Sequence, residues 1–226
     1  MTDYVFAPAP LPSLAIAGTD ALFPVRRIWC VGRNYAAHAR ELGNDDREPP
    51  FFFAKQPDML VPEGGTIIYP GLTQTLHYEA ELVVALKGGG ENITEADATA
   101  LIFGYAAGID LTRRDLQEEM KKKGKPWEIG KSFEQSAPVG TLTPSSDVMT
   151  AGAIRLGVNG ETKQSSDLSH MTWNVAEIIA RLSRQVTLAA GDIIFTGTPE
   201  GVGAVVQGDA IHVEIDGLMP LDVTIA

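Results

Sequence analysis

Glu79 and Glu81 stand two residues apart, and in an extended chain that spacing turns both carboxylates to one side, with Cβ atoms roughly 7 Å apart or less. Two like charges that close repel unless a cation stands between them. Carboxylate oxygens are hard donors that suit Mg2+, Mn2+ or Ca2+. A solvated strand face would carry the same pair, but Val83 and Ala85 continue that face as apolar residues and argue against full solvation. Asp110 closes the apolar run 105–109. Taken alone it is an ordinary strand-end aspartate; beside the pair it is a third oxygen ligand that leaves coordination positions open for substrate or water.

His38 and Glu41 are three apart in a helix-compatible run, so they share a face. A carboxylate holding an imidazole is a common way to make a general base near neutral pH; an exposed helix face is the plainer reading. The polar flanks of this run suit a mobile lid. Lys131, between a Pro-Trp turn and Phe133, says nothing by itself. Thr196-Gly197-Thr198-Pro199 with Gly201 and Gly203 is a strand running into a glycine-rich loop. Such a loop either is a plain turn or holds a carboxylate or phosphate through hydroxyls and backbone N–H groups. It is not a P-loop, because the Gly-Lys-Ser/Thr end is missing. The chain has no Gly-x-Ser-x-Gly elbow, no zinc-spaced Cys/His set and no dinucleotide fingerprint.

These residues need elements to hold them. Short apolar strands are predicted at 27–31, 51–54, 76–86, 104–110, 139–142, 154–158, 193–196, 210–215 and 221–225. Strand 76–86 has one uniformly small or apolar face, Ala80, Leu82, Val84 and Leu86. Its other face is polar at one end and core-like at the other, which suits the mouth of a pocket. Helices are predicted at 34–42 with Asn34 as cap, at 94–103 opened by Thr94 and Asp97, and from Thr112 with Asp115. A further helix is predicted at 175–182, opened by Asn174 and Glu177. Strands outnumber helices and do not alternate with them, which excludes a doubly wound sheet and favours mixed β with peripheral α. Residues 1–26 read as an N-terminal arm and 27–226 as one domain.

Composition narrows the function classes. The 226 residues include 29 Asp and Glu against 18 Lys and Arg, a formal net charge of −11. That balance argues against nucleic acid or an anionic membrane as partner. It also repels any anionic substrate at long range, so such a ligand needs cations at contact. The single cysteine, Cys30, sits in an apolar run without a basic neighbour and reads as buried and structural. One cysteine cannot form an internal disulfide. Prolines 8, 10 and 12 interrupt the first apolar stretch, which has no basic n-region, so the expectation is neither a signal peptide nor a membrane span but a cytoplasmic protein.

Taken together, five segments resemble the fumarylacetoacetate hydrolase family: Val31 to Glu41, Leu76 to Leu82, Asp110 to Gln117, Lys131-Ser132-Phe133 and Thr196 to Gly203. They run in order from about residue 25 to the C-terminus, and within the family the chain is most similar to fumarylpyruvate hydrolases and acylpyruvases. The resemblance implies a β-roll-like fold, a homodimer and one Mg2+ or Mn2+ per subunit held by Glu79, Glu81 and Asp110. It implies His38 with Glu41 as the water-activating pair on a lid and Lys131 as a charge stabiliser. Arg33, Arg114, Gln117 and Thr198 match pocket-lining positions. The activity implied is hydrolysis of a carbon–carbon bond in a 2,4-diketo acid, as in aromatic catabolism. Oxaloacetate decarboxylation and isomerisation of an unsaturated 2-oxo acid remain open on the same metal site, and a non-enzymatic metal-binding protein is the remaining class.

Overall fold

The computed structural model describes residues 3–35 and 48–226. The predicted helix 34–42, with His38 and Glu41, therefore lies outside the described residues beyond Tyr35.

A six-stranded sheet forms the centre, in the spatial order Thr143–Pro144, Ile102–Ile109, Ala80–Leu86, Asp192–Phe195, Arg27–Gly32, Phe51–Lys55. Neighbours are antiparallel except Asp192–Phe195 and Arg27–Gly32, which run parallel. A five-stranded sheet, Glu161–Asp167, Ala153–Val158, Ala210–Ile215, Leu221–Ile225, Thr66–Ile67, packs against it. A small third sheet joins Thr112–Arg113, Leu76–Tyr78 and Gly203–Val205. The architecture is the expected one, mixed β with peripheral α in a β-roll-like arrangement.

Every residue of Ala80–Leu86 is buried. Ala80, Leu82, Val84 and Leu86 belong to one apolar cluster, shared with Ile154, Val213 and other residues of the five-stranded sheet. Val83 and Ala85 belong to a second cluster with Ile28, Cys30 and Phe195. The strand thus lies between two cores, which is why both its faces are apolar beyond Glu81. Cys30 is buried there, as its sequence context suggests. Burial pushes its thiol pKa up, with the Asp110 charge adding to the effect.

Local signals place the outer helices. Glu95–Leu101 opens where the Asp97 N–H donates to Thr94 Oγ1 at 3.2 Å. Val175–Leu182 opens on a reciprocal capping box. The Glu177 N–H donates to Asn174 Oδ1 at 3.0 Å, and the Asn174 N–H donates to Glu177 Oε2 at 2.9 Å.

Other expectations need correction. The predicted strand 76–86 is two strands in two sheets, Leu76–Tyr78 and Ala80–Leu86, broken at Glu79. Thr112 does not cap the next helix; it pairs with His77 in the small sheet, and the helix begins at Arg114. Asp115 accepts instead from Thr73 Oγ1 and the Gln74 N–H. Asn34 uses its side chain across the fold, and the helix it is expected to cap lies outside the described residues. Its Nδ2 donates to the carbonyls of Thr196 and Trp173 at 2.7 and 2.9 Å, and its Oδ1 accepts from the Trp173 N–H at 2.8 Å. Residues 139–142 are not a strand but lie between the short strands Ala137–Pro138 and Thr143–Pro144. Residues 13–24 form an antiparallel hairpin, Ser13–Ile16 with Thr19–Pro24, whose Leu14 and Phe23 enter the second core cluster.

Candidate active site

Leu76–Tyr78 and Ala80–Leu86 diverge at Glu79 into different sheets, yet both glutamates point inward. Asp110 follows Ile102–Ile109, the strand paired with Ala80–Leu86 in the register Ala80↔Ile109 and Glu81↔Gly108. Its N–H donates to the Glu79 carbonyl at 2.9 Å. Ligand oxygens of Glu79, Glu81 and Asp110 consequently come within 4.8 Å of one another, and all three residues are buried.

Burying a carboxylate costs several kcal/mol unless it is paired, so the cations around this cluster decide its state. Lys131 Nζ donates to Glu79 Oε2 and to Asp110 Oδ2, at 2.7 Å each. Lys55 Nζ lies 2.9 Å from Asp110 Oδ1. Arg114 Nη2 donates to Glu79 Oε1, and Thr112 Oγ1 is 3.3 Å from the same oxygen. Burial pushes the Glu79 carboxyl up, but Lys131 and Arg114 outweigh it and hold its pKa at about 2. Burial would lower the Lys131 ammonium; Asp110 and Glu79 more than reverse that and hold it well above its ordinary value.

Glu81 is the exception. Among the described residues no cation pairs with it, and its Oε2 accepts one backbone N–H, from Gly197 at 2.6 Å. Burial and the charges of Asp110 and Glu79 push its carboxyl well above the ordinary range. A buried glutamate, short of positive charge and facing two more carboxylates, is the donor set a divalent cation fits. Three carboxylates and the three cations Lys55, Lys131 and Arg114 cancel, so a bound Mg2+ or Mn2+ would leave the site positive and ready for an anion.

The loop after Asp192–Phe195 is held close. Gly197 has φ +97, and a Cβ there would sit 2.7 Å from the Asn34 Cβ. Gln164, fully buried on Glu161–Asp167, ties this loop to the site: its Oε1 accepts from the Ala80 N–H at 2.9 Å. Its Nε2 donates to Thr198 Oγ1 and the Pro199 carbonyl, at 2.9 Å each. On the other side, Gly130 carries the short helix Glu128–Lys131 against Arg114–Lys122. A Cβ at Gly130 would lie 2.8 Å from the Gln117 Cβ and 2.9 Å from its Cα.

A cavity of about 560 Å³ opens over the carboxylates. Every described candidate from the sequence lines it: Glu79, Glu81, Asp110 and Lys131 at the floor, with Arg33, Arg114, Gln117 and Thr198 around them. Phe51, Phe53 and Trp127 form an aromatic wall, and Trp127 meets both phenyl rings edge-on at 5.9 and 5.2 Å between centroids. Sequence reasoning missed Lys55, Gln164, Thr112 and Lys121. Of these only Lys121 carried a local signal, its i+7 spacing from Arg114.

The family model of the fumarylacetoacetate hydrolase C-terminal domain matches residues 27–226. The chain belongs to the fumarylacetoacetate hydrolase family. A fumarylpyruvate hydrolase from a Ralstonia species is 48% identical over 179 residues, covering 79% of this chain and 93% of the relative. The human mitochondrial oxaloacetate tautomerase FAHD1 is 40% identical over 207 residues, covering 88% of this chain and 94% of that protein. Among solved structures, the fumarylpyruvate hydrolase of Pseudomonas aeruginosa in complex with Mn2+ and pyruvate superposes with a TM-score of 0.95 at 51% identity, covering 99% of each chain. A member of this family with the triad Glu79, Glu81 and Asp110 has the residues to bind a divalent ion, and a close structural relative holds Mn2+. Among the described residues no helix is long and apolar enough to cross a membrane.

Proposed function

We propose that this chain is a divalent-metal-dependent hydrolase that cleaves the C3–C4 bond of a 2,4-diketo acid, with fumarylpyruvate as preferred substrate and fumarate and pyruvate as products. The observation that carries the reading is the Lys131 ammonium, 2.7 Å from both Glu79 and Asp110 at the floor of the cavity. The fumarylpyruvate hydrolases at 48% and 51% identity support the choice of substrate.

Glu79, Glu81 and Asp110 would hold the Mg2+ or Mn2+ ion. When bound, the ion supplies a Lewis acid that polarises the 2-oxo end of the substrate and offsets developing negative charge. An ammonium has three donors. Two of those on Lys131 go to Glu79 and Asp110, and the third serves the oxygen on which enolate charge grows. His38, oriented by Glu41, takes a proton from water as the water oxygen attacks C4. The C3–C4 bond breaks, its electron pair forms the pyruvate enolate, and a proton at C3 completes pyruvate. Arg33, Arg114, Gln117 and Thr198 bind and orient the substrate. Arg114 also braces Glu79 and hydrogen-bonds Gln117 Oε1 at 2.6 Å.

The test is a substrate panel of fumarylpyruvate, acetylpyruvate and oxaloacetate under Mg2+ and Mn2+, with products identified. Fumarate and pyruvate in equal amounts, lost on chelation, are the expected result. Conversion of oxaloacetate without cleavage of either acylpyruvate would replace this reading with the second one. That second reading, enolate chemistry on oxaloacetate or isomerisation of an unsaturated 2-oxo acid, draws on the oxaloacetate tautomerase relatives.

We further propose that residues 27–226 form the catalytic domain of a cytoplasmic homodimer acting in aromatic catabolism, with 1–26 as an arm. The exposed apolar side chains of Tyr4, Val5, Phe6 and Leu11 support burial of that arm against a second copy.

A further inference from the structure

The helix Arg114–Lys122 faces the cavity along one stripe: Arg114, Gln117, Glu118 and Lys121 all line it, at the i, i+3, i+4, i+7 spacing of a single helix face. The near end of the stripe is committed, because Arg114 bonds Glu79 and Gln117. Lys122 and Lys123 pair back along the helix, with Glu118 at 3.9 Å and Glu119 at 2.5 Å. Lys121 forms no ion pair among the described residues and is exposed at the cavity mouth.

Distance makes this useful. Seven residues at 1.5 Å each put Lys121 about 10 Å along the helix from Arg114, whose guanidinium sits on Glu79. A seven-carbon diacid spans six bonds, about 7 Å when extended, before the reach of the lysine stem is added. Between the two ends lies the aromatic wall. Lys131 Nζ stands 5.3 Å from the Phe53 ring centroid, so the wall begins at the floor of the site and runs through Trp127 to Phe51. A flat conjugated acyl arm fits such a wall better than a bulky saturated one.

We propose that Lys121 is a specificity-determining residue whose ammonium receives the second carboxylate of a substrate with a planar, unsaturated acyl arm. The inference rests on the reading above and sharpens it, since Arg114 is withdrawn from the far end by Glu79. In a protein of net charge −11, a cation at contact is what a dianion requires. Arg33 is the rival, but its guanidinium lies against the Phe51 face, 5.8 Å from the ring centroid.

The test compares kcat/KM for fumarylpyruvate and acetylpyruvate in wild type, Lys121→Met and Arg33→Met, with melting curves for each variant and Mn2+ supplied. Methionine is a good helix former at an exposed position, so Lys121→Met is expected to melt with wild type. The expected result is a fall of about 5- to 20-fold in the fumarylpyruvate-to-acetylpyruvate ratio for Lys121→Met, carried mainly by KM for the dianion. An unchanged ratio in Lys121→Met, or a collapse in Arg33→Met alone, overturns the assignment while the hydrolase reading stands. A wild-type protein that cleaves neither compound overturns both.

Discussion

The Nζ of Lys55 lies 2.9 Å from Oδ1 of Asp110, with one side chain fully buried and the other 1% exposed. The same ammonium donates to the carbonyls of Leu111, at 3.2 Å, and Lys131. Lys131 lines the cavity and Lys55 does not. Asp110 is therefore gripped by two lysines, one at the site and one in the packed layer behind it, and Lys55 fixes the backbone on which both Asp110 and Lys131 are carried.

Replacing Lys55 by Met is expected to leave Asp110 with Lys131 as its one cation and two buried carbonyls without their donor, a loss of about 1–3 kcal/mol. Thermal unfolding reads this directly. A variant within 1 °C of wild type would mean the ion pair is dispensable.

Glu81→Gln keeps the shape of the side chain and removes the carboxylate that lacks a cation. Mn2+ affinity measured by calorimetry is expected to fall by at least tenfold, with the metal-free melting temperature held or raised because an unpaired buried charge is gone. Metal added to wild type at about 100 times Kd should stabilise it by about 2.7 kcal/mol. Unaltered Mn2+ binding by the variant would remove Glu81 from the ligand set.

His38→Ala is expected to lower kcat for acylpyruvate cleavage by about 10²- to 10⁴-fold, the usual share of general acid–base catalysis. Mn2+ affinity should hold, because the proposed ligands are elsewhere. A full rate in the variant would take His38 out of the proposed mechanism.

Gly130→Ala asks a Cβ to occupy space within 2.9 Å of Gln117 backbone atoms. Backbone cannot swing aside like a flexible side chain, so the two helices must separate, at a cost of about 1–3 kcal/mol. Lys131 moves with them, and kcat is expected to fall with stability. Retention of both would show that the helices have slack.

His212 gives a pH signature away from the site. Its Nδ1 is 2.7 Å from Asp222 Oδ1 and its Nε2 is 3.1 Å from Glu214 Oε1. The Asp222 and Glu214 hydrogen bonds raise its pKa above the ordinary histidine value against a smaller effect of burial. The raised value belongs to the folded state, so the stabilisation is full below the unfolded pKa of about 6.5 and is lost as pH rises through the folded value. Urea unfolding of wild type against His212→Asn should show a larger gap at pH 6 than at pH 8. The gap should shrink in high salt, because the pair is exposed. A pH-independent gap would assign the effect to packing.

What the sequence disclosed followed from local periodicity. The two-residue spacing of Glu79 and Glu81, the strand-end position of Asp110 and the Asn174–Glu177 box are short-range patterns, and the structure contains each. Lys55 ends the apolar run Phe51-Phe52-Phe53-Ala54 and reads as an ordinary exposed strand end; only the approach of Asp110, 55 residues later, makes it a buried ion-pair partner. Gln164 sits among polar residues on a strand that periodicity did not find, and its role depends on Ala80 and Thr198 arriving beside it. Thr112 has the local look of a helix cap, yet pairing with His77 turns its hydroxyl toward Glu79. Long-range contacts decided all three, and spacing along the chain holds no record of them.

The helix Arg114–Lys122 contains no buried residue, although its first side chain braces a metal-ligand candidate and its seventh-next reaches the cavity mouth. Most substitutions along its outer turns would disturb little packing and so cost the fold little, whereas the carboxylates and lysines beneath are enclosed by two cores. Under the roles proposed above, substrate choice can drift through this helix while the carboxylate–lysine centre is retained. That separation gives a physical route by which one ancestral scaffold could diversify into hydrolases and tautomerases without passing through unfolded intermediates.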